Sequence, residues 1–158
     1  MPKDRKNSRV VVGGTFDILH AGHKALLRKA FSLGRTLLAG LTSDALAGKS
    51  RERRIRSFKE RKKDLEKFIK NFPVSAKIIK IEDKFGPTLK EDFDYIVVSS
   101  ETYKNALLIN RERKKIGKTP IKVVKIKFIL GRDGQPVSAT KIHERLCHKY
   151  RKSGRRKQ

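Results

Sequence analysis

A single doubly wound parallel α/β sheet of about five strands, with helices on both faces, is the fold class this sequence predicts. Three observations predict it. Short apolar runs rich in β-branched residues alternate with longer amphipathic stretches. The stretches between runs are long enough for helices, so successive strands read as parallel βαβ units with right-handed crossovers. The first run leads into Gly13-Gly14 just ahead of a helical pattern. The chain has 158 residues, a length suited to one domain. It carries no repeat and no low-complexity linker apart from its basic end.

The elements follow in order. Arg9 to Val12 is a buried strand. Lys24 to Leu33 places Ala25, Leu26, Leu27, Ala30, Phe31 and Leu33 on a helical face that stops at Gly34. Thr36 to Leu41 is the second strand, and a basic stretch, Lys49 to Arg56, follows it. Leu65, Phe68, Ile69 and Phe72 form a helical stripe ending before Pro73. Lys77 to Ile81 and Asp94 to Ser99 are the third and fourth strands. Ala106, Leu107, Ile109 and Ile116 mark a helix closed by Gly117. Ile121 to Ile129 is a fifth strand, and Ser138 to Tyr150 a last helix with Ser138 as N-cap. The expected division is a basic tail over 1–8, one domain over 9–148 and a second basic tail over 149–158.

Charge and cysteine usage narrow the function classes. Lys plus Arg number 41 against 16 Asp plus Glu, a formal charge of +25. The first nine residues hold +3 and the last ten +6, which leaves +16 on the body. Such a charge suits nucleic acid, and equally small polyphosphates. Aromatics are 7%, Trp is absent, and no RNP, KH or zinc-finger pattern appears, which weighs against an RNA-binding module. The single cysteine, Cys147, forms no internal disulfide and no thiolate zinc site, as in a reducing cytosol. No run approaches the roughly 18 apolar residues of a membrane span, and no apolar core follows the basic start. A cytoplasmic protein without membrane contact is expected.

Ligands of doubly wound sheets bind beyond the carboxyl ends of the strands, near the switch in strand order. That rule selects three tips: Gly13–His23, Ser99–Thr102 and Gly131–Thr140. In the first, Gly13 and Gly14 let the backbone approach a ligand. His20 and His23 lie three apart at a helix start, on one face, where free amides favour phosphate. Gly22 leaves room against the helix, and Thr15 adds a hydroxyl. A His-x-x-His pair also occurs in metal sites, but no third or fourth ligand stands nearby, so no protein-only metal site is expected. Gly48-Lys49-Ser50 looks like a Walker ending, yet Ser43 stands where its first glycine is required.

Gly14-Thr15-Phe16-Asp17 followed by His20-Ala21-Gly22-His23 resembles the signature of the HxGH nucleotidyltransferase superfamily, whose sheet is Rossmann-like. Lys49 and Phe58-Lys59-Glu60-Arg61 resemble that family's basic loop and Glu-Arg helix start, and Phe85-Gly86-Pro87, Val97 to Tyr103 and Ile109-Asn110-Arg111 resemble a narrower group. Together they are similar to the archaeal-type phosphopantetheine adenylyltransferases and to the matching domain of eukaryotic coenzyme A synthase. The match spans about residues 9–146.

The resemblance implies attack of 4′-phosphopantetheine on the α-phosphorus of ATP without a covalent intermediate. Thr15 would orient the attacking phosphate. His20 and His23 would contact the ATP phosphates, and Lys49 would offset the charge where two anions meet. Gly13, Gly14 and Phe16 would complete the ATP loop. Ser99 and Glu101 would border the adenine or ribose, although strand-end polar residues also form turns.

Ser138, Ala139, Thr140 and Lys141 resemble the motif that holds the β- and γ-phosphates. Here Ala139 replaces a serine, and His143 stands where Arg is common. Lys141 or Arg145 is placed to compensate for that loss. Mg²⁺ would enter with ATP. Two alternatives remain open: transfer to another phosphorylated acceptor such as flavin mononucleotide, and, in a different class, a basic RNA-binding protein. A basic surface also permits incidental RNA contact alongside catalysis.

Overall fold

The structure is a computed structural model, and it describes residues 8–48 and 55–127. In chain order these form β1 (Arg9–Gly14), α1 (Ala21–Leu33), β2 (Thr36–Thr42), α2 (Asp44–Gly48), α3 (Phe58–Ile69), β3 (Ser75–Ile81), a 3-10 turn (Gly86–Leu89), β4 (Tyr95–Val98), α4 (Tyr103–Lys115) and β5 (Lys122–Lys125). The five strands make one sheet in the order β3-β2-β1-β4-β5. All four pairings are parallel, with Val12 opposite Ala39 and Val11 opposite Ile96. The doubly wound sheet expected from the alternation is the one observed. The last helix expected from Ser138, and the third tip, lie outside the described residues.

The period of two along each strand sorts apolar side chains onto two faces. Val10, Val12, Leu37, Ala39, Leu41 and Val97 pack with α1 and α3. Val11, Leu38, Ile96 and Val98 pack with α4. Helices after β1 and β2 therefore cover one face, and the helix after β4 covers the other. The switch in strand order falls between β1 and β4, and their carboxyl ends open a crevice there.

Local chemistry explains where the elements begin and end. The first helix starts at Ala21 rather than Lys24 because the His20 side chain caps it. Gly34 does end that helix, but its φ of −158° is extended. The reason for glycine there is close approach, since an added Cβ would lie 2.5 Å from the Ser8 carbonyl oxygen. Ser8 itself, expected to close the N-terminal tail, is buried. Ser57 caps α3 by accepting from the Glu60 amide. Phe72, beyond the end of α3, stacks on Phe31 at 4.3 Å and completes the apolar stripe.

The fifth strand begins one residue later than its apolar run. Asn110 takes both backbone groups of Ile121 in side-chain hydrogen bonds of 2.7 and 2.8 Å. Ile121 is thereby held outside the ladder. Among the described residues no helix is long and apolar enough to cross a membrane.

Candidate active site

The loop after β1 is built by tight side-chain packing. Gly14 lies under the Phe16 ring, where an added Cβ would sit 3.2 Å from it. Phe16 has φ +45°, a left-handed conformation that is unusual for an aromatic residue. Its ring is buried and lies 5.0 Å from the His23 ring. Asp17 is also buried, and its carboxylate accepts from the backbone and side chain of Arg56. Arg56 donates as well to the Asp17 carbonyl and, at 2.6 Å, to Asp64. Asp17 thus ties this loop to the segment that enters α3.

His20 and His23 stack with ring centroids 3.8 Å apart and planes within 20°. Their roles differ. The His20 Nδ1 accepts from the amides of Gly22 and His23 at 3.0 and 3.4 Å. An accepting Nδ1 carries no proton, so the neutral ring holds its proton on Nε2. Burial pushes the His20 imidazole down to about 4, well below its ordinary value. It is therefore a neutral Nε2–H donor at neutral pH.

His23 places its Nδ1 2.9 Å from the Ile18 carbonyl. A carbonyl only accepts, so that nitrogen carries the proton. Holding one ring neutral avoids two positive charges stacked face to face. The same cap alters an expectation about α1. Two of the amides expected to greet an anion already donate to His20.

A cleft of about 350 Å³ opens at the switch between β1 and β4. Gly13, Gly14, Thr15, Phe16 and His23 line one side of it. Ser99 and Glu101 line it at the end of β4. There the Ser99 hydroxyl accepts from the Glu101 amide, and the Thr102 hydroxyl accepts from the Ser99 amide, so the turn is also self-capped. His20 is not among the lining residues, and its ring stacks on that of His23. Lys49, Ser138, Ala139, Thr140 and Lys141 lie outside the described residues.

The cleft also has a wall that residue types alone do not announce. The 3-10 turn contributes Gly86, Pro87 and Thr88. Gly86 has φ +53°, and an added Cβ would lie 2.8 Å from Ile81. The Asp83 carboxylate accepts from the amides of Phe85 and Gly86 at 2.9 and 2.8 Å. An Asp three residues before a Gly-Pro pair is the local signal that could have found this turn. Asn105 on α4 also lines the cleft and donates to the Lys84 carbonyl at 2.8 Å. Thr42, at the end of β2, joins the lining beside Thr15. Among the described residues no group of three or more His, Cys, Asp or Glu gathers as a metal centre.

Residues 11–145 match the cytidylyltransferase-like family, and the chain belongs to that family. Fold and cleft are thus those of a nucleotidyltransferase with a Rossmann-like sheet. The more particular likeness is to the phosphopantetheine adenylyltransferases of archaea. The enzyme so named from Archaeoglobus fulgidus is 39% identical over 144 residues, covering 90% of this chain and 97% of that one. Its namesake from Thermococcus gammatolerans is 46% identical over 141 residues, covering 87% and 89%. A crystal structure of a protein of unknown function from Archaeoglobus fulgidus superposes with a TM-score of 0.71 at 40% identity. It covers 75% of this chain and 89% of that one.

Proposed function

We propose that this cleft transfers the adenylyl group of ATP to 4′-phosphopantetheine, giving dephospho-coenzyme A and pyrophosphate in coenzyme A biosynthesis. The observation that carries the proposal is the meeting of Thr15 and His23 with Ser99 and Glu101 around one cleft at the strand switch. Archaeal relatives that bear the adenylyltransferase name match over most of the chain.

A phosphate oxygen of the acceptor attacks the α-phosphorus. The bond from that phosphorus to the bridging oxygen breaks, and pyrophosphate leaves. The attacking oxygen is already ionised, so no protein nucleophile is needed. Catalysis then rests on positioning and charge stabilisation. The Thr15 hydroxyl orients the attacking phosphate. His23 in its doubly protonated form offers an Nε2–H to phosphate oxygens, and the neutral His20 ring, outside the cleft lining, stacks on it and holds its orientation. Lys49 offsets the charge where the two substrates meet. Ser138, Ala139, Thr140 and Lys141 hold the outer phosphates, and Ser99 and Glu101 border the nucleoside.

Mg²⁺ is carried in on the ATP phosphates and neutralises part of their charge. The basic body draws both anionic substrates toward the cleft, and capture weakens with salt. Incidental RNA contact through the same surface belongs to this proposal.

The test is pyrophosphate release from ATP with a panel of phosphorylated acceptors. Turnover with 4′-phosphopantetheine, and none with flavin mononucleotide, is the expected result. Preference for flavin mononucleotide, or no turnover with any acceptor, overturns it.

A further inference from the structure

Arg61 lies on α3, and its side chain is completely buried. Its three donating nitrogens are all engaged. Nε donates to the Arg56 carbonyl at 2.9 Å. Nη2 pairs with the Asp44 carboxylate at 3.0 Å. Nη1 donates to the Thr15 carbonyl at 3.0 Å and to the Thr42 hydroxyl at 3.3 Å. The Thr42 hydroxyl in turn donates to the Thr15 hydroxyl oxygen at 3.1 Å. One guanidinium thus touches the backbone of the β1 loop and, through one hydroxyl, its reactive side chain.

The direction of this relay matters. A guanidinium donates and never accepts. Arg61 fills one acceptor position on Thr42, and the Thr42 hydroxyl donates its proton to the Thr15 oxygen. Thr15 accepts there and keeps its own proton for a donor contact elsewhere. Both threonines line the cleft. We propose that Arg61 is a positioning residue that holds the Thr15 loop and sets its hydroxyl to donate into the cleft, toward the attacking phosphate. This rests on the adenylyl-transfer reading for the identity of that phosphate. Lys could supply the charge but not three fixed donors, so Arg61→Lys is not a conservative change.

The test uses the full-length chain and compares Arg61→Lys, Thr42→Val, Thr42→Ser and the Lys/Val double variant. Activity is expressed per folded molecule, with the folded fraction taken from the unfolding curve. Thr42→Val removes only the relay hydroxyl and nearly preserves shape, so it keeps the proposal testable if the buried lysine unfolds the chain. In Arg61→Lys and Thr42→Val, kcat falls by about tenfold or more with the KM for ATP held within about twofold. Thr42→Ser restores kcat. The double variant is no worse than Arg61→Lys, because both changes act through Thr15.

Hydrogen–deuterium exchange at residues 15–17 accelerates in Arg61→Lys and not along β1. Normal kcat per folded molecule in both single variants, or losses that multiply in the double variant, overturns the proposal. A wild-type chain that ignores 4′-phosphopantetheine defeats the functional reading alone. The exchange measurement then decides Arg61 by itself, and unchanged exchange at residues 15–17 refutes it.

Discussion

Replacing His20 by Asn tests how the histidine pair is built. The imidazole is buried, and its value falls from the ordinary 6.5 to about 4. Its Nδ1 caps α1 through the Gly22 and His23 amides. Protonation would remove that acceptor and place a charge against the His23 ring, 3.8 Å away. A base with a depressed value in the folded state stabilises the fold above its unfolded value. That stability is lost as pH falls from about 6.5 toward about 4, because the unfolded chain binds the proton first.

Each unit is worth about 1.4 kcal/mol, so the full effect approaches about 3 kcal/mol. Between about pH 7 and about pH 5 the loss is on the order of 2 kcal/mol. Asn is a good N-cap and does not titrate in this range, so it keeps the cap acceptor and removes the proton linkage. Urea unfolding of both proteins at the two pH values is the assay. The wild type should lose on the order of 2 kcal/mol more than His20→Asn over that interval. Equal losses in the two proteins would refute the buried, neutral assignment.

Four further outcomes are expected. His23→Ala should cut kcat by about 10²- to 10³-fold while its unfolding curve keeps one cooperative transition, since one oriented donor is worth about 2–4 kcal/mol in the transition state; wild-type turnover contradicts this. Gly86→Ala should destabilise the fold by about 1–3 kcal/mol in urea, because φ +53° is strained for alanine and the new methyl meets Ile81 at 2.8 Å. An unchanged urea midpoint argues against that strain. Chelation of divalent ions should stop pyrophosphate release, and added Mg²⁺ should restore it. Deleting residues 149–158 should weaken retention on an RNA column and spare kcat; lost turnover would make the tail part of the site.

Much of the sheet was legible because both of its faces are buried. Runs such as Val10-Val11-Val12 and Ile96-Val97-Val98 are apolar without interruption, which only a doubly covered strand tolerates. The helices announced themselves through apolar stripes, as at Leu26, Leu27, Ala30 and Phe31. Short elements were not legible. The five residues of α2 and four of the 3-10 turn are too few to show a period.

The loop after β1 stood out by composition, and the structure does bring Thr15, Phe16 and His23 to one cleft. The separation of His20 from His23 by burial depends on how the rings stack, which spacing does not convey. Arg61 was visible as the end of the Phe58-Lys59-Glu60-Arg61 motif, with no role attached to it. Its burial and its reach to Thr15 arise from the crossover that lays α3 beside the end of β1. The +25 charge pointed first to nucleic acid. A cleft for two anionic substrates gives part of it a use, and most of the 41 cations lie beyond what one cleft can employ.

The most direct measurement is the mass spectrum of the products formed from ATP and 4′-phosphopantetheine, with pyrophosphate quantified in the same reaction. Dephospho-coenzyme A and pyrophosphate should appear in equal amounts, and neither should appear without the acceptor. ADP or free AMP as the nucleotide product, with no dephospho-coenzyme A, would contradict adenylyl transfer in this cleft.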